Sequence, residues 1–168
     1  IKTKKYVRFT DDNFEDDSPS FSPSRDKILF TSKRPITGYF SGPAPKNIFI
    51  LDSSTKDIKQ IHSKALDGII NESFINYNNP VWCPVSNEIA FGMTYLFGSK
   101  LVIYDLDTEE IKLTLNVPSI YSIRWSSDGQ FIGYQGIQTD HSVNEISMTF
   151  EVGIIDIKNQ NKIEVEKT

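Results

Sequence analysis

The sequence repeats one pattern three times, and this repeat constrains the fold more than any other feature of the chain. Each copy has an aromatic residue, and seven residues later an apolar segment that itself ends in an aromatic residue. A second apolar segment then closes on an aspartate, and a fourth segment follows six or seven residues beyond it. The repeated positions are Phe21, Trp82 and Trp125 for the first aromatic residue, 27–30, 88–91 and 131–134 for the first apolar segment, and Asp52, Asp105 and Asp156 for the aspartate.

The segments of each copy predict a four-stranded antiparallel sheet. The connections at 24–26, 86–87 and 127–129 are short and rich in residues that favour tight turns. The fourth segments alternate polar and apolar residues, as expected at the exposed edge of a sheet. Phe21, Trp82 and Trp125 lie 61 and 43 residues apart; the second spacing matches the roughly 40–50 residues of one propeller blade, and an insertion accounts for the excess in the first.

Composition and charge exclude several classes of protein. With 38% hydrophobic and 12% aromatic residues, the 168-residue chain has the composition of one globular domain. Its 18 basic and 22 acidic side chains give a net charge of −4, which does not favour nucleic acid or an anionic membrane. It contains no apolar run of about 18 residues, the length needed to span a bilayer. A single cysteine excludes an internal disulfide.

The repeated residues resemble the WD-like repeat of TolB-type β-propellers, whose consensus is similar to Pro-x-Trp-Ser-Pro-Asp-Gly followed by Ile-Ala-Phe. Residues 19–23 carry this pattern with phenylalanine in place of tryptophan, and 80–84 carry it with cysteine in place of serine. Residues 122–127 keep the Trp-Ser pair but have serine in place of the second proline and isoleucine in place of the first. The Asp-Gly pair is replaced by Arg25-Asp26 in the first copy and by Ser86-Asn87 in the second. The resemblance covers nearly the whole chain from Asp17 onward.

We therefore predict an all-β fold, a partial β-propeller of three four-stranded antiparallel blades plus one N-terminal outer strand. Residues 17–78 form the first blade, 79–120 the second and 121–168 the third. The resemblance implies that residues 1–16 hold the outer strand of a preceding blade, at 4–10, and a linker. Three blades are fewer than a closed propeller has, so we expect two exposed apolar flanks. Either the chain is part of a longer propeller, or two copies complete one ring.

Few residues carry the chemistry of a catalytic or metal site. Cys83, between Trp82 and Pro84, is interpreted as a small buried residue, and His62 and His141 as surface residues. Ser41 lies one position away from the place that a nucleophile elbow requires. The acidic stretch 11–17 lacks the alternation and the glycine of a calcium loop, which favours a solvated connection. We therefore predict no catalytic residue, no cofactor and no metal ligand. The aspartates that close the third strands are predicted to form turns, and the repeated first aromatic residues to pack in the core.

The longer connections predict where binding occurs. In a four-stranded antiparallel unit, the second-to-third and blade-to-blade connections emerge at one end, and there the chain inserts 32–46, 63–78, 94–99 and 135–149. Long loops on a rigid scaffold are the usual place for recognition. The candidate binding residues on these loops are aromatic residues and one methionine, namely Tyr39, Phe40, Phe74, Tyr77, Tyr95, Phe97, Met148 and Phe150.

We expect a non-enzymatic binding or scaffold module that presents the long-loop end to a protein or peptide partner. The family resemblance leaves two alternatives open. One is a fragment of the substrate-gating propeller of a prolyl-oligopeptidase-like or dipeptidyl-peptidase-like serine hydrolase. The other is a propeller that binds a small ligand or carbohydrate. The remaining blades, or a second copy, are the other expected partners. The compartment stays open, with a periplasmic or extracellular location favoured only by the resemblance.

Overall fold

The computed structural model describes residues 7–35, 45–61, 75–96, 98–141 and 146–163. Within these ranges the chain forms strands and turns and no helix. No segment of these ranges therefore forms a helix that is long and apolar enough to cross a membrane. The strands are β1 (Asp16–Phe21), β2 (Lys27–Ser32), β3 (Asn47–Asp52), β4 (Ile58–Gln60), β5 (Asn76–Trp82), β6 (Glu88–Tyr95), β7 (Gly98–Asp105), β8 (Glu110–Val117), β9 (Ser119–Trp125), β10 (Phe131–His141), β11 (Ile146–Asp156) and β12 (Asn161–Ile163).

The strands form three antiparallel sheets of four, each made of consecutive strands in chain order. We call them blade 1 (β1–β4), blade 2 (β5–β8) and blade 3 (β9–β12). The three predicted four-stranded blades, their strand order and their antiparallel pairing are confirmed. Blade 2 starts at Asn76, three residues before the position that the sequence analysis gave.

The aspartate that closes each third strand builds the turn into the fourth strand, as predicted. Asp52 accepts hydrogen bonds from the backbone N–H groups of Ser54 and Thr55, at 2.8 and 3.0 Å. Asp105 and Asp156 accept equivalent bonds from residues two or three positions later. Four residues after each aspartate comes a residue with positive φ, namely Lys56, Glu109 or Gln160. The Ser54 hydroxyl, together with the two N–H groups, stabilises the ionised Asp52 carboxylate and lowers its pKa to about 2.

Each blade has two faces, one turned toward the following blade and one toward the preceding blade. We call these the leading face and the trailing face. The leading face of blade 1 carries Leu29, Ile48 and Ile50, which pack against the trailing face and the first strand of blade 2. In the same way, the leading face of blade 2 packs against the trailing face of blade 3 through Ala90, Leu101, Ile103, Ile123, Ile132 and Ile155. The core therefore lies between the blades.

The repeated first aromatic residues differ in burial according to their neighbours. Trp82 packs in the cluster between blades 1 and 2, and Trp125 packs against the cluster between blades 2 and 3. Phe21, at the same position in blade 1, is 61% exposed. The predicted core role is therefore confirmed for the two tryptophans and wrong for Phe21, which has no preceding blade to enter in the described part of the chain.

Two predicted insertions are strands in the structure. At 94–99 only Leu96 and Phe97 separate β6 from β7. At 135–149 the chain continues β10 and β11 into a long two-stranded ribbon, paired from Phe131 with Asp156 to His141 with Ile146. Residues 7–15, which include part of the predicted N-terminal outer strand, contain no strand, and residues 4–6 lie outside the described ranges.

The trailing face of blade 1 is covered by the segment that precedes it. Phe30 and Phe49 stack with ring centroids 5.8 Å apart, and Phe9 packs against this cluster. The guanidinium of Arg34 lies 5.2 Å from the Phe30 ring centroid and 5.6 Å from that of Phe14. The expectation of an exposed apolar flank is therefore wrong for Phe30 and Phe49, which are buried, whereas Phe21 of the same blade stays exposed.

The acidic stretch 11–17 supplies the anions that hold this cover in place. Arg34 donates to Asp16 Oδ1 at 2.7 Å and to Asp12 Oδ2 at 2.6 Å. Asp17 binds Lys46, and both Asp16 and Asp17 belong to β1. Residues 11–15 are exposed, as expected of a solvated connection, whereas Asp16 and Asp17 lie in β1, and acidic residues of both parts join a network of ion pairs.

Candidate binding clefts

The antiparallel order of each blade sorts the connections into two ends. The β1–β2 and β3–β4 turns, and their equivalents in blades 2 and 3, lie at what we call the short-turn end. The β2–β3 connection at 33–46, the β4–β5 connection at 61–75 and the tip of the β10–β11 ribbon lie at the opposite, long-connection end. In the described part of the chain, clefts open between neighbouring blades at both ends.

The long-connection cleft lies between blades 2 and 3 and has a volume of about 670 Å³. One wall is the end of the β6–β7 hairpin, with Tyr95 and Leu96, and the other is the ribbon strand β10. Most side chains that border it are uncharged groups that can donate or accept hydrogen bonds. These are Thr94, Tyr95, Ser99, Asn116, Ser119, Gln138 and Thr139.

Hydrogen bonds fix several groups at the rim of this cleft. The Thr94 hydroxyl oxygen accepts from Ser99 Oγ at 3.2 Å and from Asn78 Nδ2 at 3.1 Å. Asn116 Oδ1 accepts a hydrogen bond from Lys100 Nζ at 2.9 Å, and this contact fixes the orientation of the Asn116 side-chain amide. Val117 and Ile137 add apolar surface beside these groups. The cleft therefore combines positioned polar groups with apolar walls, as ligand sites do.

The charged groups of the cleft neutralise each other. Lys162 Nζ lies 3.4 Å from Glu151 Oε1 and 5.5 Å from the Tyr134 ring centroid. The Tyr134 hydroxyl donates a hydrogen bond to the same carboxylate. Burial, together with the nearby Glu151 charge, raises the pKa of Tyr134 well above its ordinary value, so this phenol stays protonated. The cleft therefore offers neither an ionised nucleophile nor an excess of one charge.

A second cleft, of about 490 Å³, lies between blades 1 and 2 at the short-turn end. Its apolar surface comes from Ile50, Ile61, Trp82, Tyr104 and Leu106. Two lysines and four carboxylates also line it, namely Lys27, Lys59, Asp52, Asp57, Asp107 and Glu109. Between blades 2 and 3 the equivalent turns meet, since a Cβ on Gly129 would lie 2.6 Å from the Val85 side chain. The sequence analysis placed all candidate binding residues at the opposite end.

The structure distributes the predicted binding residues over different surfaces. Tyr95 borders the long-connection cleft. Tyr77 belongs to β5, and its ring lies edge-on to Phe91 in the core between blades 1 and 2, with centroids 5.7 Å apart. Met148 and Phe150 belong to β11 and are exposed on the leading face of blade 3. Tyr39, Phe40, Phe74 and Phe97 lie outside the described residues.

The four described residues therefore do not form one aromatic surface. The polar residues that border the cleft, such as Asn116, Gln138 and Thr139, were not singled out from the sequence. Their position in the sequence could have indicated them, because each lies close to the end of a predicted strand, at the long-connection end of its blade. Hydroxyl and amide side chains are common on any exposed strand, so only the packing of blade 3 on blade 2 distinguishes them.

The residues considered for catalysis and metal binding are separated or buried. Cys83 has a free thiol and is buried. His141 ends β10, whereas Ser41 and His62 lie outside the described ranges. Within the described ranges, no three histidine, cysteine, aspartate or glutamate side chains come together in a way that could hold a metal ion.

Comparisons with known structures give the fold. TolB from Acinetobacter baumannii is 19% identical, with a TM-score of 0.55 over 86% of this chain and 31% of its own. The Pyrococcus horikoshii acylaminoacyl peptidase is 16% identical, with a TM-score of 0.65 over 90% of this chain and 24% of its own. The β-propeller domain of the Trilobed protease from Pyrococcus furiosus is 17% identical, with a TM-score of 0.57 over 90% of this chain and 41% of its own.

These likenesses confirm that the chain has the fold of a partial TolB-like β-propeller. The chain spans between about a quarter and two fifths of the length of these three structures. Neither a family model nor a curated protein matches the sequence. At such identities the comparisons give the fold, and function must be argued from the clefts.

Proposed function

We propose that the chain is a non-enzymatic binding module that holds an extended segment of a protein partner in the long-connection cleft. The observation that carries this proposal is the chemistry of the cleft, in which uncharged hydroxyl and amide groups surround apolar walls. An extended peptide presents uncharged N–H and C=O groups along its backbone, and these pair with such side chains. Its side chains alternate in direction and can contact Leu96, Val117 and Ile137.

The charge distribution supports a peptide over a phosphorylated or strongly charged ligand. Glu151 and Lys162 pair with each other, and Lys100 is bound to Asn116. An anion would therefore find no unpaired cation among the described residues that border the cleft. A volume of about 670 Å³ lies within the roughly 300–1,000 Å³ range of ligand pockets.

The test uses random linear peptides displayed on phage and selected against the purified chain. Gln138→Ala combined with Asn116→Ala removes two amide groups from exposed positions at the cleft and should weaken the selected peptides about tenfold, or about 1.4 kcal/mol. Gln60→Ala, in the short-turn cleft, is the matched control and should leave binding unchanged. Failure to enrich any peptide, or equal binding by the double variant, would contradict the proposal.

The proposed absence of catalysis has its own test. Cys83 is buried, and the charged groups at the long-connection cleft are paired, so the described residues offer no activated nucleophile. The purified chain should not turn over ester, peptide or phosphoester substrates. Turnover that is lost on replacing Ser41 or Cys83 would show that the proposal is wrong.

The likeness to the two proteases supports a second candidate, a piece of a substrate-gating propeller in a larger hydrolase. In that role the chain would work beside a separate catalytic domain. A segment with the Gly-x-Ser-x-Gly pattern in the adjoining reading frame would favour this role. Peptide binding by the chain is compatible with both candidates, so the reading frame is what separates them.

A further inference from the structure

The ribbon strand β10 extends beyond the strand that pairs with it on one side. In blades 1 and 2 the first strand pairs with the second strand as far as Ser32, the last residue of β2, and Thr94, the second-last residue of β6. In blade 3 the pairing of β9 with β10 stops at Ile137, whereas β10 continues to His141. Within the described part of the chain, residues 138–141 are therefore paired on the β11 side alone.

The short connection between blades 2 and 3 explains why β9 stops where it does. Pro118 is the single residue between β8 and β9. Proline has no N–H to donate to a strand ladder, and the chain that precedes it already belongs to β8, which pairs with β7 in blade 2. β9 therefore cannot continue alongside Gln138 and Thr139. These two residues border the long-connection cleft instead.

Hydrogen bonds at the start of β10 show which of its backbone groups point to this open edge. Ser126 N donates to the Phe131 carbonyl oxygen on the β9 side. Ile157 N donates to the Gln130 carbonyl oxygen on the β11 side. The pairing with β11 is continuous along β10, so its odd-numbered residues keep their N–H and C=O groups turned away from β11. Thr139 therefore turns one donor and one acceptor toward the open edge, and neither has a partner among the described residues.

We propose that the long-connection cleft binds its peptide by strand addition, with the peptide pairing as an extra β-strand along the open edge of β10. The inference rests on the proposed function and adds the way in which the partner is held. Unpaired N–H and C=O groups at the edge of a sheet are a template for such pairing. One residue of the peptide accepts from Thr139 N–H and donates to its carbonyl oxygen. The partner is therefore a segment that can extend fully and has no proline at that residue.

The uncharged groups of the cleft suit the side chains of an added strand. Gln138 has the same parity along β10 as Ile132 and Tyr134, which pack in the core between blades 2 and 3, so its side chain shares their face of the sheet. Every second side chain of the added strand shares this face too and points toward blade 2. Asn116 and Val117 of blade 2 border the cleft there. Backbone pairing and side-chain recognition thus use the two walls of one cleft.

The first test measures the affinity of a phage-selected peptide for variants of two cross-strand neighbours. Thr139→Pro removes the N–H at the open edge, and Thr139→Ala, which keeps that N–H, accounts for the side chain. Met148 pairs with Thr139 and turns its own N–H to the opposite edge of the ribbon, so Met148→Pro is the matched control. We expect Thr139→Pro to bind the peptide at least about tenfold more weakly than Thr139→Ala, and Met148→Pro to bind it normally.

The second test leaves the protein unchanged and therefore does not depend on how the proline variants fold. The selected peptide is synthesised with one N-methyl group at a time along its backbone. We expect methylation to weaken binding about tenfold at the residue that pairs with Thr139 and to have little effect at its two neighbours, whose N–H groups point away from β10.

The outcomes separate this inference from the proposed function. Peptide binding that tolerates every N-methyl group, or that both proline variants weaken equally, would overturn strand addition and leave the proposed function standing. Failure to enrich any peptide would contradict both. A species of twice the 19.1 kDa mass in sedimentation, converted to the monomer by Thr139→Pro, would assign the open edge to a second copy and overturn the inference.

Discussion

Trp125 donates its indole N–H to the backbone carbonyl oxygen of Val81 at 3.3 Å, and this hydrogen bond joins blade 3 to blade 2. Trp82 occupies the same position one blade earlier, yet its buried Nε1 finds no acceptor among the residues that the structure describes. The two tryptophans therefore serve the same packing role with different polar contacts. Comparing the two tryptophans therefore distinguishes the contribution of the indole hydrogen bond to the stability of a blade junction from that of apolar packing.

Trp125→Phe is expected to lower the free energy of unfolding more than Trp82→Phe. The first substitution removes a hydrogen bond worth about 1 kcal/mol and leaves the Val81 carbonyl without it. The second removes a buried donor that makes no such bond, so only contact area is lost. Urea unfolding of both variants measures the difference. Equal losses would show that the Trp125 bond adds nothing to stability.

Gly153→Ala is expected to destabilise blade 3 by about 1–3 kcal/mol, because the added methyl group would overlap the Tyr134 ring. Gly133→Ala is the matched control in the adjacent strand. There the nearest atom to the new methyl group is the Arg124 carbonyl oxygen, 4.0 Å away. Thermal unfolding should show a large decrease for the first variant and little change for the second. Recovery of stability by combining Gly153→Ala with Tyr134→Leu would confirm the overlap as the cause.

Arg34→Ala is expected to lower the free energy of unfolding by about 2–3 kcal/mol, since it removes charge-assisted hydrogen bonds to Asp12 and Asp16 and the contact with Phe30. Lys33→Ala removes an exposed pair with Glu15 and should change stability by less than about 1 kcal/mol. Urea unfolding of both variants tests this. Similar values for both would indicate that the cover of blade 1 adds no stability.

Asp52→Asn is expected to reduce stability at neutral pH and to matter less in acid. The pKa of Asp52 is about 2 in the folded chain, below its ordinary value near 4, so folding favours the ionised carboxylate. Its contribution is present above pH 4 and is lost as the pH falls from about 4 to about 2. The difference in melting temperature between the two chains should shrink over this range. Asp57→Asn in the same turn is the control, and a pH-independent difference for Asp52→Asn would contradict the assignment.

The repeat predicted the sheets well, because the same short-range signals occur three times. Each closing aspartate forms its turn with residues two or three positions away, and such local bonds can be anticipated from the sequence. The ribbon at 135–149 was missed, although Met148, Phe150 and Val152 alternate as strand residues do. The intervening polar residues made this segment resemble a loop.

The cover of blade 1 and the clefts could not be predicted in the same way. Arg34 reaches Asp16 across 18 positions and Asp12 across 22 positions in the chain. The sequence shows both groups but gives no reason to pair them. The long-connection cleft depends on how closely blade 3 approaches blade 2, which is set by packing at Ile120 and Ile123. Its polar lining therefore becomes apparent only when the blades are assembled.

The pairing of strands in strict chain order also determines how the molecule can be built during synthesis. Blade 1 has all four strands once Gln60 has left the ribosome, and its hydrogen-bonded ladder needs nothing from downstream. Its apolar side chains Leu29 and Ile48 nevertheless stay in contact with water until Trp82 and Phe91 of blade 2 pack against them. Each blade can therefore form its sheet in the order of synthesis, and its leading face is buried only once the following blade has formed.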